Sequence, residues 1–411
     1  MKKVMLFIAL LVAAMVLAAC APATEQPTAE ATEEAAAVPA ECAEAGACAV
    51  FAPGEPIVIG MAGPMSGDIS AFGTDVSQAA QLAAEDAGEL EGHPFVVNSQ
   101  DDQGTPEGGA AVANLFVSDP SVVAVAGHMF SGATNAAMPI YETARIAMAS
   151  PSATRIDLTQ QGFTVFNRVV GNDKFQGALA AEFIYNTLGA RKLALIHDGG
   201  AYGQALAERT RDVFTELGGE VVALEAITVG ETDYSGVLTA IAALNPDALF
   251  FGGYTGEGAV LANQRGAVGL GEIPFVSDDG IYGTQFIDLA GANAEGVYCT
   301  SAGTPAASEA KAAFDAAYEE RWGIATGQLS PYSWYGYDAA NVLIAAIKQV
   351  AIVGGDGNLY IPREALIAAV RGTSGFEGIS STITCDATGE CSDAGFSVYQ
   401  VQDGAWVELP K

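Results

Sequence analysis

The chain has 411 residues, half of them apolar, and a formal charge of −32 from 49 acidic against 17 basic side chains. No Lys or Arg lies between Lys3 and Arg145. That excludes nucleic acid and anionic lipid headgroups as ligands of this long stretch, since both are held by Lys and Arg, and it weighs against phosphate except at helix N-termini. So many residues exceed one ordinary core and suit two lobes.

In chain order, Lys2 and Lys3 precede an uncharged apolar run, Val4 to Ala19, that closes on Leu17-Ala18-Ala19-Cys20. A basic start, a short apolar stretch and small residues at its end read as an export signal, because a spanning helix needs about 18–20 apolar residues. The ending is similar to the bacterial lipobox. That resemblance implies that Cys20 is diacylated and becomes the first mature residue; the alternative is ordinary cleavage leaving a free Cys. Residues 21–55 are mainly Ala, Thr, Glu and Pro with no basic residue. Such a segment buries little and repels itself, so it reads as a disordered tether.

From Pro56 strand and helix alternate. Ile57 to Met61, Pro94 to Asn98, Val122 to Ala126 and Ile146 to Ala149 read as strands. Asp75 to Glu85, Glu107 to Ser118 and Thr134 to Thr143 read as helices, the second with Thr105 as cap and Pro106 in its first turn. The pattern restarts after Asp173. Leu193 to His197, Val221 to Ile227, Ala248 to Phe251, Pro274 to Ser277 and Gly296 to Thr300 are expected strands. Gln204 to Leu217, Ser235 to Leu244 and Glu257 to Val268 are expected helices. Each half reads as a parallel, doubly wound α/β lobe. Two long helices follow, Ser308 to Trp322 and Tyr337 to Val350, which should complete the first lobe. Residues 376–411 look like strands and hairpins, with turns at residues 386–389 and a tight one at Asp403-Gly404.

Cys42 and Cys48, and Cys385 and Cys391, are two local pairs of equal spacing. In an oxidising compartment they read as small disulfide loops. The rival is a metal site, although zinc ligands are usually closer set and the three His, at 93, 128 and 197, are scattered. Cys299 ends an apolar run and is expected to be a buried thiol.

Ligands of open α/β sheets bind at the carboxyl ends of the strands, so the loops there are where recognition belongs. Residues 127–134 lead into a helix, where free N–H groups and the Ser131 hydroxyl can hold a carboxylate. Residues 150–154 add Ser152 and Thr154. Asp278-Asp279 at a strand end can meet an ammonium group, or be a solvated acid pair. Phe72, Tyr202, Tyr254 and Tyr332 sit in loops or beside Gly and can wall a small amphipathic ligand. Enzyme motifs are weak: there is no G-x-S-x-G and no G-x-x-x-x-G-K-[ST]. His197-Asp198 reads as a strand end and loop start rather than half of a triad, and Asp101-Asp102 as a solvated loop. No catalytic residue, metal or cofactor is expected.

The same loops resemble those of the Leu/Ile/Val-binding proteins, type I periplasmic binding proteins, over nearly all of residues 56–411. The resemblance is carried by Gly63-Pro64-Met65-Ser66-Gly67, Gly127-His128 with Ser131 and Thr134, and residues 150–154. It continues through His197-Asp198, Tyr202-Gly203, Gly252-Gly253-Tyr254 and the helix start at residues 334–339. It implies two Rossmann-like lobes joined by three crossovers around a ligand cleft. The implied division is a signal peptide at 1–19, anchor and tether at 20–55, a first lobe of 56–172 plus 303–384, and a second of 173–302 plus 385–411. It further implies that Ser131, Ser152 and Thr154 hold an α-carboxylate, Ser152 largely through its backbone. Asp279 would pair with the α-ammonium, Tyr202 and Tyr254 would cover the ligand, and Phe72 and Tyr332 would line its side-chain pocket. Asp279 is one methylene shorter than the family's Glu, so the ammonium must sit deeper or a water must bridge. Phe130 and Gln103 stand where some members have a disulfide. The implied function is capture of a branched-chain or related amino acid by cleft closure outside the cytoplasm, with delivery to an ABC importer permease and a lipid tie to the membrane. The alternative is a sensory ligand-binding protein for an amino acid, amide or small carboxylic acid.

Overall fold

The computed structural model describes residues 38–392 and 395–410; the expected export signal, Cys20 and the tether up to residue 37 lie outside the described residues. Within the expected tether the chain is already folded. A disulfide joins Cys42 to Cys48, and β1 (Cys48–Phe51) pairs antiparallel with Leu359–Pro362. Ala49 and Phe51 face the core while Val50 between them is exposed. The folded body thus starts before residue 56, because this short alternation is enough to bury one face of a strand.

The first sheet comprises β2 (Ile57–Gly63), β3 (Glu89–Leu90), β4 (His93–Asp101), β5 (Val122–Gly127), β6 (Ala147–Ser150) and β7 (Phe166–Arg168). Its order is β3-β4-β2-β5-β6-β7, parallel except for the short β3. Strands β2 and β5 are buried along their whole length, which is why they read as continuous apolar runs. The connecting helices are α1 (Ser70–Ala87), α2 (Pro106–Ser118) and α3 (Ser131–Ala144). The Thr105 hydroxyl accepts from the Gly108 N–H at 3.0 Å and caps α2, with Pro106 in its first turn. Helix α3 begins three residues before the expected Thr134 and runs through Pro139, forgoing the bond that proline cannot donate.

Helix α4 (Asp173–Glu182) opens the second half, which continues with β8 (Lys192–His197), β9 (Glu220–Ala226), β10 (Ala248–Gly252), β11 (Phe275–Ser277) and β12 (Tyr298–Ala302). Between these strands lie α5 (Ala201–Glu216), α6 (Ser235–Ala242), α7 (Thr255–Gln264) and α8 (Thr284–Ala290). There follow α9 (Glu309–Trp322), α10 (Ser333–Val350), β13 (Ile352–Val353), β14 (Leu359–Pro362), α11 (Arg363–Arg371), the small hairpin β15 (Phe376–Glu377) and β16 (Thr382–Ile383), then β17 (Phe396–Gln402) and β18 (Ala405–Glu408). The second sheet runs β18-β17-β12-β11-β10-β8-β9, with β17 and β18 antiparallel to their neighbours. Asp403 and Gly404 both have positive φ, as the two-residue hairpin turn between β17 and β18 demands.

Helix α10 packs on α1, and its buried residues Tyr335, Ala339 and Leu343 belong to the core of the first sheet. The second sheet has a core on each face. The chain therefore passes between the two sheets three times, after Arg168, after Ala302 and after Cys391; the loop of residues 385–391 still belongs to the first lobe, where Glu390 bridges to β7 and Cys391 joins the core. The result is a two-lobed α/β fold. Cys385 and Cys391 form the second disulfide, and Cys299 on β12 is a free, buried thiol.

Candidate functional site

The strand ends of both sheets face one cleft. It is lined by Phe72, Phe130, Ser131, Ser152 and Tyr332 from the first lobe and by Tyr202, Tyr254, Asp279 and Gly280 from the second. Drawn together as they are, these side chains leave a cavity of only about 10 Å³, room for about one water. Of the residues expected to bind ligand, only Thr154 lies outside this lining. It is nonetheless buried beside it, its carbonyl accepting from the Asp173 N–H at 2.9 Å.

On the first lobe, the loop between β5 and α3 is held from beneath. Ser150 Oγ donates to the His128 carbonyl at 2.7 Å and Ser152 Oγ to the Met129 carbonyl at 2.9 Å. The His128 ring is buried between Asp102, at 2.7 Å, and the Tyr141 hydroxyl, at 2.9 Å. Asp102 is thus no solvated loop residue: burial of its carboxylate is offset by His128 and by the Gly104 N–H. With its scaffold fixed, the N-terminus of α3 presents the N–H groups of residues 131–133, which no helical turn precedes. The Thr154 hydroxyl is buried and, among the described residues, has no hydrogen-bond partner. This corner offers donors to an anion.

The opposite wall offers acceptors. Asp278 and Asp279 are both buried rather than solvated. Asp278 accepts from the N–H groups of Gly253 and Gly280, each at 3.0 Å. Asp279 accepts from Gln176 Nε2 at 2.5 Å, from the Tyr202 hydroxyl and from the Tyr332 hydroxyl. Tyr332 reaches it from the first lobe and Tyr202 from the second, so one carboxylate is shared by both. Tyr332 does more than wall a side-chain pocket: its hydroxyl meets the acid. Burial raises the pKa of Asp279 against the lowering effect of these donors.

Sequence reasoning missed two further residues here. Asp173 starts α4 and is buried, and among the described residues neither of its oxygens meets a donor at full hydrogen-bonding geometry, although the Thr154 hydroxyl lies near enough to lower its pKa. Burial, with Asp279 adding to it, pushes its pKa up to about 7. Gln176, three residues on, keeps its Oε1 free while its amide serves Asp279. Their spacing on one helix face was the available signal, but nothing local said which way that face points. Phe130, noted only as a departure from a family disulfide, turns out to line the cleft.

A third anchor lies beneath the Thr154 loop. Arg168 is fully buried and donates Nη1 to the carbonyls of Ala153 and Arg155, at 2.9 and 2.7 Å. Its other nitrogens meet Glu390, inside the Cys385–Cys391 loop, at 2.8 and 2.5 Å.

Two α/β lobes, three crossovers and a buried polar cleft at the carboxyl ends of both sheets define a cleft-type small-molecule binding protein. The chain belongs to the periplasmic binding protein family, whose sequence profile matches residues 56–405. It is similar to an amino acid binding protein of Pseudomonas aeruginosa, 37% identical over 57% of this chain and 63% of that protein. It is also similar to a leucine-specific-binding protein of Salmonella typhimurium, 32% identical over 72% of this chain and 79% of that one. Among solved structures it resembles the branched-chain amino acid transporter substrate binding protein LivJ of Streptococcus pneumoniae in complex with isoleucine. That match has a TM-score of 0.75 at 27% identity over 86% of this chain and all of that one. These relatives are binding proteins and not enzymes. Family membership gives this chain an extracytoplasmic, solute-binding role.

Proposed function

We propose that this protein captures a branched-chain or closely related amino acid by closing its cleft and delivers it to the permease of an ABC importer. It does so while tied to the membrane by lipid on Cys20. The observation that carries the reading is the division of the cleft into two chemistries: hydroxyls and a helix N-terminus on one side, and Asp279 on the other, with the buried Asp173 near enough for Asp279 to raise its pKa. An amino acid zwitterion is costly to desolvate unless both charges are met. Ser131, Ser152 and Thr154 answer the carboxylate, and the acids answer the ammonium. Phe72, Tyr202, Tyr254 and Tyr332 enclose the remainder. Because these groups come from both lobes, the ligand favours the closed form by its differential affinity.

Calorimetry with an amino-acid panel tests the ligand class. Asp279→Ala should weaken binding by about 2–5 kcal/mol, the usual cost of stranding a buried charge partner. Unchanged affinity would mean that no ammonium is met there, and would favour an amide or carboxylic acid. Small-angle scattering tests the mechanism: saturating ligand should reduce the radius of gyration, and an unchanged radius would sink capture by closure.

A further inference from the structure

Phe130 precedes α3 in extended backbone, and its side chain is buried. Its ring stacks on Tyr254 of the second lobe, centroids 4.2 Å apart and planes 7° from parallel. It also meets Phe72 edge-on at 5.6 Å. The contacts continue from Phe72 to Tyr332 at 6.4 Å and from Tyr254 to Tyr202 at 5.6 Å. The Tyr202 and Tyr332 hydroxyls both end on Asp279, so the rings form a closed collar with the carboxylate as its clasp. Phe130–Tyr254 is the one face-to-face contact in that collar. The floor beneath Phe130 is Gly104, with φ of +66°; a Cβ there would lie 2.8 Å from Cδ2 of Phe130. The ring's seat is therefore closely fitted.

Rings stacked this closely admit nothing between them. A ligand must use the space inside the collar, which as it stands has room for about one water, so the size of a bound side chain is limited by how far these rings can part. We propose that Phe130 is a specificity-determining residue that sets the upper size of the ligand side chain, by holding Tyr254 in place from the facing lobe. The proposal rests on the amino-acid reading above. No hydrogen bond to the ligand depends on Phe130, so its effect is on discrimination by size and not on recognition of the charged groups.

The test is calorimetry on the wild type, Phe130→Ala and Phe130→Leu, with alanine, valine, leucine and phenylalanine and the corresponding acids lacking the amino group. In Phe130→Ala, affinity for the largest binding member relative to the smallest should rise at least 10-fold, with Phe130→Leu intermediate. Equal weakening for every ligand would overturn the proposal and leave Phe130 a packing residue. If Phe130→Ala fails to fold, the same ratio in Phe130→Leu decides, and a ratio equal to that of the wild type overturns it. Binding of the deaminated series alone would defeat the amino-acid reading, while the size ratio within that series would still decide the role of Phe130.

Discussion

Among the described residues Asp173 is a buried carboxylate with only the nearby Thr154 hydroxyl to favour its charge, so that charge is weakly held until a ligand arrives. With its pKa pushed up to about 7 by burial and then by Asp279, it is largely protonated at pH 6. An ammonium ligand favours the charged form and pulls that pKa down. Binding then expels a proton, so affinity should rise as pH goes from about 6 to about 8 and level off above. Calorimetry in buffers of different ionisation heat reads this directly. Asp173→Asn should remove the slope; a slope that survives would move the titration to another group. The acid itself was not legible in the sequence. The hydroxyl loops, Tyr202 and Tyr254 were, because they sit past a strand end or beside glycine, and such positions face ligands in this architecture; Tyr332 was legible only as a loop aromatic before a helix. Asp173, Gln176 and Phe130 carry no such local mark. Phe130 lines the cleft, and Asp173 and Gln176 come up beside Asp279, only because tertiary packing brings a ring and a helix after the first crossover there.

Among the elements, the Cys385–Cys391 loop has the least obvious task. Its Gly389 carbonyl accepts from the Arg168 N–H at 2.9 Å and its Cys391 N–H donates to the Arg168 carbonyl at 3.0 Å. Glu390 is thereby placed against a guanidinium with no exposure of its own. Arg168 then holds the peptide on both sides of Thr154. Glu390→Ala should strand that buried charge, and breaking such a pair costs about 3–5 kcal/mol; because Glu390 is partly exposed, about 3 kcal/mol is expected. Urea denaturation checks it, and an unchanged midpoint would show that Arg168 is satisfied without Glu390. Ligand affinity should fall as well, since the loop loses its support. The long helices and the buried parallel strands were legible from apolar runs and caps. Strand β1, the short β7 and β14, and helix α11 were not, because a strand of three or four residues takes its identity from the partner it pairs with.

The whole molecule carries its charge unevenly, with several acids sealed inside. Burial raises Asp75, Asp198 and Asp338 to about 6 each. Each binds a proton more tightly folded than unfolded, so the stability it lends is full below about pH 4 and is lost as pH rises through 6. Hydrogen bonds hold Asp315 and Asp386 below the usual carboxylate range despite partial burial, and Glu390 likewise, helped by the charge of Arg168. Those lend stability that is lost as pH falls below about 4. Thermal scans of the ligand-free protein should therefore show a higher midpoint near pH 5 than near pH 8; the reverse order would mean that the buried acids are better compensated than their surroundings indicate. The three passages between the sheets have a further consequence, in time and not in space. The core of the first sheet waits for α10, and the second sheet stays open at β12 until β17 and β18 arrive. A chain interrupted before residue 396 ends with a bare strand edge, the kind that pairs with whatever strand it meets. Neither lobe can close until residues beyond 390 have been made, and β17 and β18 are the strands that take the β12 edge out of reach of other chains.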